Sequence, residues 1–207
     1  MTGKTHVGVG LLTAVVILDK QTLGITPLSI LVCILSSLLP DSDHPKGIFN
    51  KYILPIRSKS VKVSTYISLG IIIIGLNYLY FGHSYAYALG FMVIMIGLSS
   101  HRQGITHSLI GFIIFVYIIG YGSDILDPLE RQRVIISFIS GYGSHIICDM
   151  FTNRGIPLFY PFAKKKVKMP FTFKVGSATG NFIEGILIYI IIIYLTFKIP
   201  MMVINMN

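Results

Sequence analysis

Hydrophobic positions in this chain form long uninterrupted runs rather than one apolar stripe per helix. Seven apolar segments stand out: Thr5–Leu18, Pro27–Leu39, Val63–Phe81, Tyr85–Ser99, Ile105–Tyr121, Arg133–Met150 and Asn181–Ile199. Stretches such as SLGIIIIGL and IYIIIIYL are apolar on every side, the pattern of a helix surrounded by hydrocarbon or by other helices. At about 1.5 Å per residue, the third, fifth, sixth and seventh segments are long enough to cross a hydrocarbon layer of roughly 30 Å. The first two are shorter and must be tilted, partly re-entrant or shielded. The predicted fold is all-α: a polytopic transmembrane helical bundle of about seven apolar segments, forming a single integral-membrane domain over residues 1–207.

Composition supports this reading. Of the 207 residues 53% are hydrophobic and only 12% charged, against about 25% charged in soluble domains. No stretch remains for a separate soluble domain. The opening MTGKTHVGVGLLTAVVIL has the charge-then-apolar order of a signal peptide but no small-residue cleavage site, so it reads as a retained first helix. Cys33 and Cys148 lie in apolar runs without a CxxC partner, as packed helix cysteines rather than a disulfide framework.

The net charge of +9 raises the question of a nucleic-acid partner, and the distribution of charge answers it. The basic residues sit in short loops between apolar runs, where they meet anionic lipid headgroups; no nucleic-acid role is expected. If all seven segments cross, one side carries Lys4, Lys46, Lys51, Arg57, Lys59, Lys62, Arg102, Arg154, Lys164, Lys165, Lys166, Lys168 and Lys174. The other side carries only Lys20, Arg131, Arg133 and Lys198. Thirteen against four places the first side, with the N-terminus, in the cytoplasm and the C-terminus outside.

The same assignment gathers the metal-binding residue types. His6 opens the first segment, while Asp41, Asp43 and His44 close the second in LLPDSDHP. His101 closes the fourth and His107 opens the fifth in HRQGITHS. His145 and Asp149 close the sixth, and Glu184 opens the seventh. All fall on the cytoplasmic side; His83 falls on the other. Imidazole nitrogen suits zinc, manganese and iron, and carboxylate oxygen offsets the cationic charge. His145 and Asp149 are four apart, so a helix presents them on one face as a two-ligand clamp. The candidate ligands are His6, Asp41, Asp43, His44, His101, His107, His145 and Asp149. Eight donors suffice for two ions, or for one ion with hydrogen-bonded supporters.

Each group also has a plainer reading. His6 alone is a polar helix end, PDSDH alone a turn with a helix cap, and His101 with His107 a pair bonded across helices. His145 with Asp149 alone is a buried pair. Taken together, however, so many ionisable groups at membrane level are costly without a function. Arg102 is placed to hold a substrate phosphate, since its guanidinium matches paired oxygens, or else to anchor the cytoplasmic side. AKKKVK at Ala163–Lys168 reads as a solvated, lipid-facing loop. Thr152, Asn153 and Gly155 read as the turn after the sixth segment. VGSATGNFIE, lacking the Walker order, reads as a flexible lead into the last helix, with Glu184 a supporting base.

With these motifs in hand, the chain resembles the YdjM-like family of bacterial inner-membrane proteins, described as membrane-bound metal-dependent hydrolases. The carriers are Thr5–His6, LPDSDH at Leu39–His44, HRQGITHS at His101–Ser108, SHIICDMFTNRG at Ser144–Gly155 and PLFYPF at Pro157–Phe162. The resemblance implies an integral inner-membrane metal hydrolase. The expected chemistry is hydrolysis by a metal-activated water, with zinc, manganese or iron as the metal and one or two ions. Asp43 or Glu184 would take the proton and Arg102 would hold the anion. The expected substrate is phosphate-bearing or lipid-linked, presented at the cytoplasmic face. A metal transporter or sensor is the rival; it requires polar residues through the bilayer midplane, which the apolar runs do not offer. A zinc protease of the usual kind is disfavoured because HExxH does not occur. A purely structural membrane protein remains the other alternative.

Overall fold

The computed structural model describes residues 1–43, 58–99 and 104–204, and every extended regular element among them is helical. Seven α-helices follow the apolar segments: α1 (Gly3–Lys20), α2 (Pro27–Leu38), α3 (Lys59–Leu76), α4 (Ser84–Leu98), α5 (Leu109–Gly122), α6 (Pro128–Met150) and α7 (Ala178–Ile204). A π-helical turn, Asn77–Phe81, prolongs α3, and Gly82 in the left-handed region (φ 71°) closes it. Short 3-10 turns occupy Leu39–Asp43 and Ile105–His107.

Among the described residues two helices are long and apolar enough on their own to cross a membrane: α3 with its extension (Lys59–Phe81) and α7. The fifth and sixth segments differ from expectation. The 3-10 turn takes the start of the fifth, and Ser108 restarts the chain as an N-cap, its hydroxyl accepting from the Gly111 amide, so α5 has only 14 residues. Helix α6 has 23 residues but is polar along one face.

The described residues divide into two compact units. The first comprises Met1–Leu38, Leu126–Gly155 and Val167–Asn207; the second, Leu39–Ile125 and Ile156–Lys166.

In the first unit α6 packs on α1 and α2, with α7 beside α1. Small residues set the spacing. A side chain on Gly141 would meet the Cys33 carbonyl at 2.5 Å and run into the Ser36 hydroxyl; one on Gly10 would meet Gly141 Cα at 3.2 Å. Close approach of this kind is how helices associate where no water drives them together. Helix α2 is patterned inside out: Ser29, Cys33, Ser36 and Ser37 are buried, while Leu28, Leu31 and Leu35 are exposed. At one end of this unit Arg133 donates to the Leu23 carbonyl (2.7 Å) and pairs with Glu130 (3.1 Å), and Lys198 pairs with Asp19 (2.7 Å). Along α6, Glu130 and Asp149 are separated by a rise of roughly 28 Å, comparable to the hydrocarbon thickness.

In the second unit α3 and α4 cross at glycines. A side chain on Gly70 would strike the Gly90 carbonyl (2.7 Å), and one on Gly97 would strike Tyr66 Cβ (2.9 Å). The two 3-10 turns also pack against each other.

Candidate metal centre

In the first unit, four-residue spacing places the chemistry. Gly10 of α1 and Gly141 of α6 are points of close approach, and His6 lies four residues before Gly10. His145 and Asp149 follow Gly141 at intervals of four, so they occupy the same helix faces as the glycines. His6, His145 and Asp149 are fully buried. The two imidazoles stack, centroids 3.7 Å apart at 14°. His6 Nε2 lies 3.3 Å from Asp149 Oδ1, and His145 Nε2 lies 3.8 Å from Asp149 Oδ2. Among the described residues neither ring nitrogen of His6 has a hydrogen-bond partner in good geometry.

The tautomer of His145 follows from its neighbour. Its Nδ1 is 2.7 Å from the Ser37 carbonyl oxygen, which only accepts, so Nδ1 carries the proton. Nε2 then turns a lone pair toward the Asp149 carboxylate. This is the arrangement of a metal-binding imidazole, oriented through its other nitrogen by a backbone carbonyl. Asp149 adds a negative charge at the C-terminal, negative end of α6, so the position attracts cations. The Met1 amino group donates to Asp149 Oδ1 at 2.7 Å. The 3.3 and 3.8 Å separations run to the two different oxygens of Asp149, so the carboxylate faces both imidazoles at once. Two buried histidines and one buried carboxylate are donors of the types that would hold a divalent ion.

Glu184, at the start of α7, is buried beside this group's helix α1. Its Oε2 accepts from the Thr2 amide (3.0 Å), the Thr2 hydroxyl (2.6 Å) and the Thr5 hydroxyl (2.5 Å). Its Oε1 has no hydrogen-bond partner among the described residues. The expected flexible lead into α7 is instead ordered by Ser177, whose hydroxyl accepts from the Gly180 amide and donates to the Lys174 carbonyl. The turn after α6 is as expected: Thr152, Asn153 and Gly155 form it, with Gly155 at φ 60°.

In the second unit Asp41, Asp43 and His107 come together. His107 Nε2 is 3.8 Å from Asp41 Oδ1, and its Nδ1 is 3.8 Å from Asp43 Oδ2. Thr106 donates its single hydroxyl proton to Asp43 Oδ2 (3.1 Å), so toward His107 Nδ1 (3.2 Å) it acts as acceptor. That again fixes the proton on Nδ1 and leaves Nε2 facing a carboxylate. His44, His101 and Arg102 lie outside the described residues. His83 occupies the N-cap position of α4, where its side chain makes no capping hydrogen bond, and stacks on Tyr85.

Several residues escaped sequence reasoning. Thr5 and Thr106 each hold a buried carboxylate, and each precedes a buried histidine. The signal was present: the quartet G-x-T-H occurs twice, as GKTH at Gly3–His6 and GITH at Gly104–His107. Lys62, counted above as a loop charge, is only 2% exposed. Its ammonium donates to the Asp43 carbonyl (2.8 Å) and the Ser99 carbonyl (2.7 Å), tying the aspartate turn to the end of α4. Lys62→Met leaves both carbonyls without this donor, at about 1–3 kcal/mol each. A fall in the thermal midpoint of the detergent-solubilised protein is expected; an unchanged midpoint means the tie contributes nothing.

A family model described as YdjM inner membrane protein matches residues 1–204. Neither the curated proteins nor the solved structures contain a match to the chain.

Proposed function

Because the chain belongs to the YdjM family of inner membrane proteins, we propose that it is a multi-pass, metal-dependent hydrolase of that membrane, its N-terminus in the cytoplasm and its C-terminus outside. One observation carries the reading: two buried histidines on different helices turn Nε2 toward one buried carboxylate, Asp149, and one of them is oriented by a backbone carbonyl.

The ligands proposed in the first unit are His6, His145 and Asp149, and in the second Asp41, Asp43 and His107. His44 and His101 join them on the sequence pattern alone. Zinc is the leading ion, with manganese or iron as alternatives. A bound divalent cation polarises a phosphoryl or carbonyl oxygen and lowers the pKa of water toward about 7. The chain's own residues do the rest. Ser37 and Thr106 fix the imidazole tautomers. Thr2 and Thr5 hold Glu184 with one oxygen engaged and the other left to accept a proton; Asp43 is the alternative acceptor. Arg102 is assigned the anionic group of the substrate, for its paired N–H donors. A phosphate-bearing or lipid-linked substrate at the cytoplasmic headgroup level suits the basic loops.

The test is metal analysis of the purified protein with activity on a panel of lipid phosphoesters. Metal at or above one equivalent and turnover that chelation abolishes are expected. His107→Ala then tests the second set: a fall in bound metal keeps Asp41, Asp43 and His107 as ligands, and full metal content removes them. A metal-free protein that is active overturns the proposal. Metal uptake across vesicles without hydrolysis would instead establish the transporter reading.

The topology has its own test. A cysteine introduced within Lys164–Lys168 is expected to resist an impermeant thiol reagent in intact cells and to react after permeabilisation. Labelling from outside reverses the orientation.

A further inference from the structure

From Met150 to Ile183 the sequence holds six basic residues (Arg154, Lys164, Lys165, Lys166, Lys168 and Lys174) and no Asp or Glu. The part of this connection in the first unit is built rather than loose. The Met169 amide donates to the Met150 carbonyl (2.9 Å), the Phe173 amide to Phe151 (3.1 Å), and the Asn153 amide to Phe173 (3.0 Å). Gly155, at φ 60°, turns where a side chain would strike the Val167 carbonyl at 2.6 Å. These bonds fasten the returning segment to the end of α6 and display Phe171, which is 85% exposed. Arg154, Lys168 and Lys174 on the same short framework are exposed as well.

An exposed phenylalanine on a framework that also exposes cations suits a membrane interface, where the ring enters the acyl boundary and the cations meet phosphate. The connection leads within a few residues into α7, a helix able to span the bilayer, so it lies at headgroup level. We propose that this segment is a docking surface for anionic phospholipid: Phe171 inserts below the headgroups while Arg154, Lys168 and Lys174 hold their phosphates. The inference rests on α7 crossing the membrane and not on the metal chemistry.

The chain contains no tryptophan, so Phe171→Trp makes a single reporter. The variant is reconstituted in nanodiscs of phosphatidylcholine alone and in discs containing phosphatidylglycerol. The indole emission is expected to shift to the blue and lose acrylamide quenching as phosphatidylglycerol increases. A single charge near an anionic surface favours contact by roughly fivefold, so Arg154→Gln, Lys168→Gln and Lys174→Gln combined should abolish the dependence on composition. Equal shielding in both disc types overturns the anionic preference, and a water-exposed indole in both overturns insertion. Protection by a single-stranded RNA oligonucleotide but not by phosphatidylglycerol assigns the surface to nucleic acid and overturns the proposal. Failure to enter discs at all refutes instead the membrane crossing on which it rests.

Discussion

Asp149→Ala is expected to insert and fold while losing bound metal and turnover together. Both oxygens of Asp149 face imidazole nitrogens, at 3.3 and 3.8 Å, within one buried group. Losing even a partner that orients a metal ligand costs roughly 10–100-fold in metal affinity. Removing a proposed ligand together with its negative charge should exceed that range. Insertion depends on the apolar runs, which the substitution leaves intact. Membrane yield, metal content and turnover are measured side by side. Full metal with normal turnover removes Asp149 from the centre, and a variant that fails to insert gives it a structural role.

The second large effect is expected from Gly141→Leu. A side chain there meets the Cys33 carbonyl and the hydroxyls of Ser36 and Ser37, and backbone cannot swing aside as a flexible side chain does. Overpacking of this kind costs about 1–3 kcal/mol or more. Here it would also push α6 off α2, shifting His145 from the Ser37 carbonyl that orients it. A markedly lower thermal midpoint is expected, with metal lost in parallel. Gly75→Ala is the control. Nothing lies within 4 Å of a methyl group placed there, and alanine favours a helix by roughly 0.5–1 kcal/mol over glycine. Its midpoint should hold or rise. A Gly141→Leu protein as stable as the wild type would falsify the close helix contact.

The seven helices were legible because backbone in an apolar setting must bond to itself, so long apolar runs become helices. Helix boundaries agreed where local chemistry marks them, as at Pro27. They departed where a 3-10 turn intervened, since no periodicity distinguishes the first residues of α5 from Ile105–His107. Length and hydropathy overstated α6 as an independent span, because its buried face is lined by Ser, Gly, His and Asp. Lys62 was misread for a different reason. A lysine near a helix start is normally a solvated charge, and only the carbonyls of Asp43 and Ser99, distant in sequence, turn it inward.

The sequence by itself therefore determined the residue types of the candidate site, the helical class and the inner-membrane family, all of which depend on local pattern and motif order. It also linked His145 to Asp149, because four-residue spacing on one helix is a local fact. Only the tertiary structure decided that His6 stacks on His145 and that Ser37 and Thr106 set the imidazole protons. It alone placed the three hydrogen bonds on Glu184. Each of these contacts but that of Thr106 with its neighbour His107 joins residues more than a hundred positions apart. They exist because glycine and serine let particular helices approach closely, which is a property of two surfaces meeting and is written in neither helix alone.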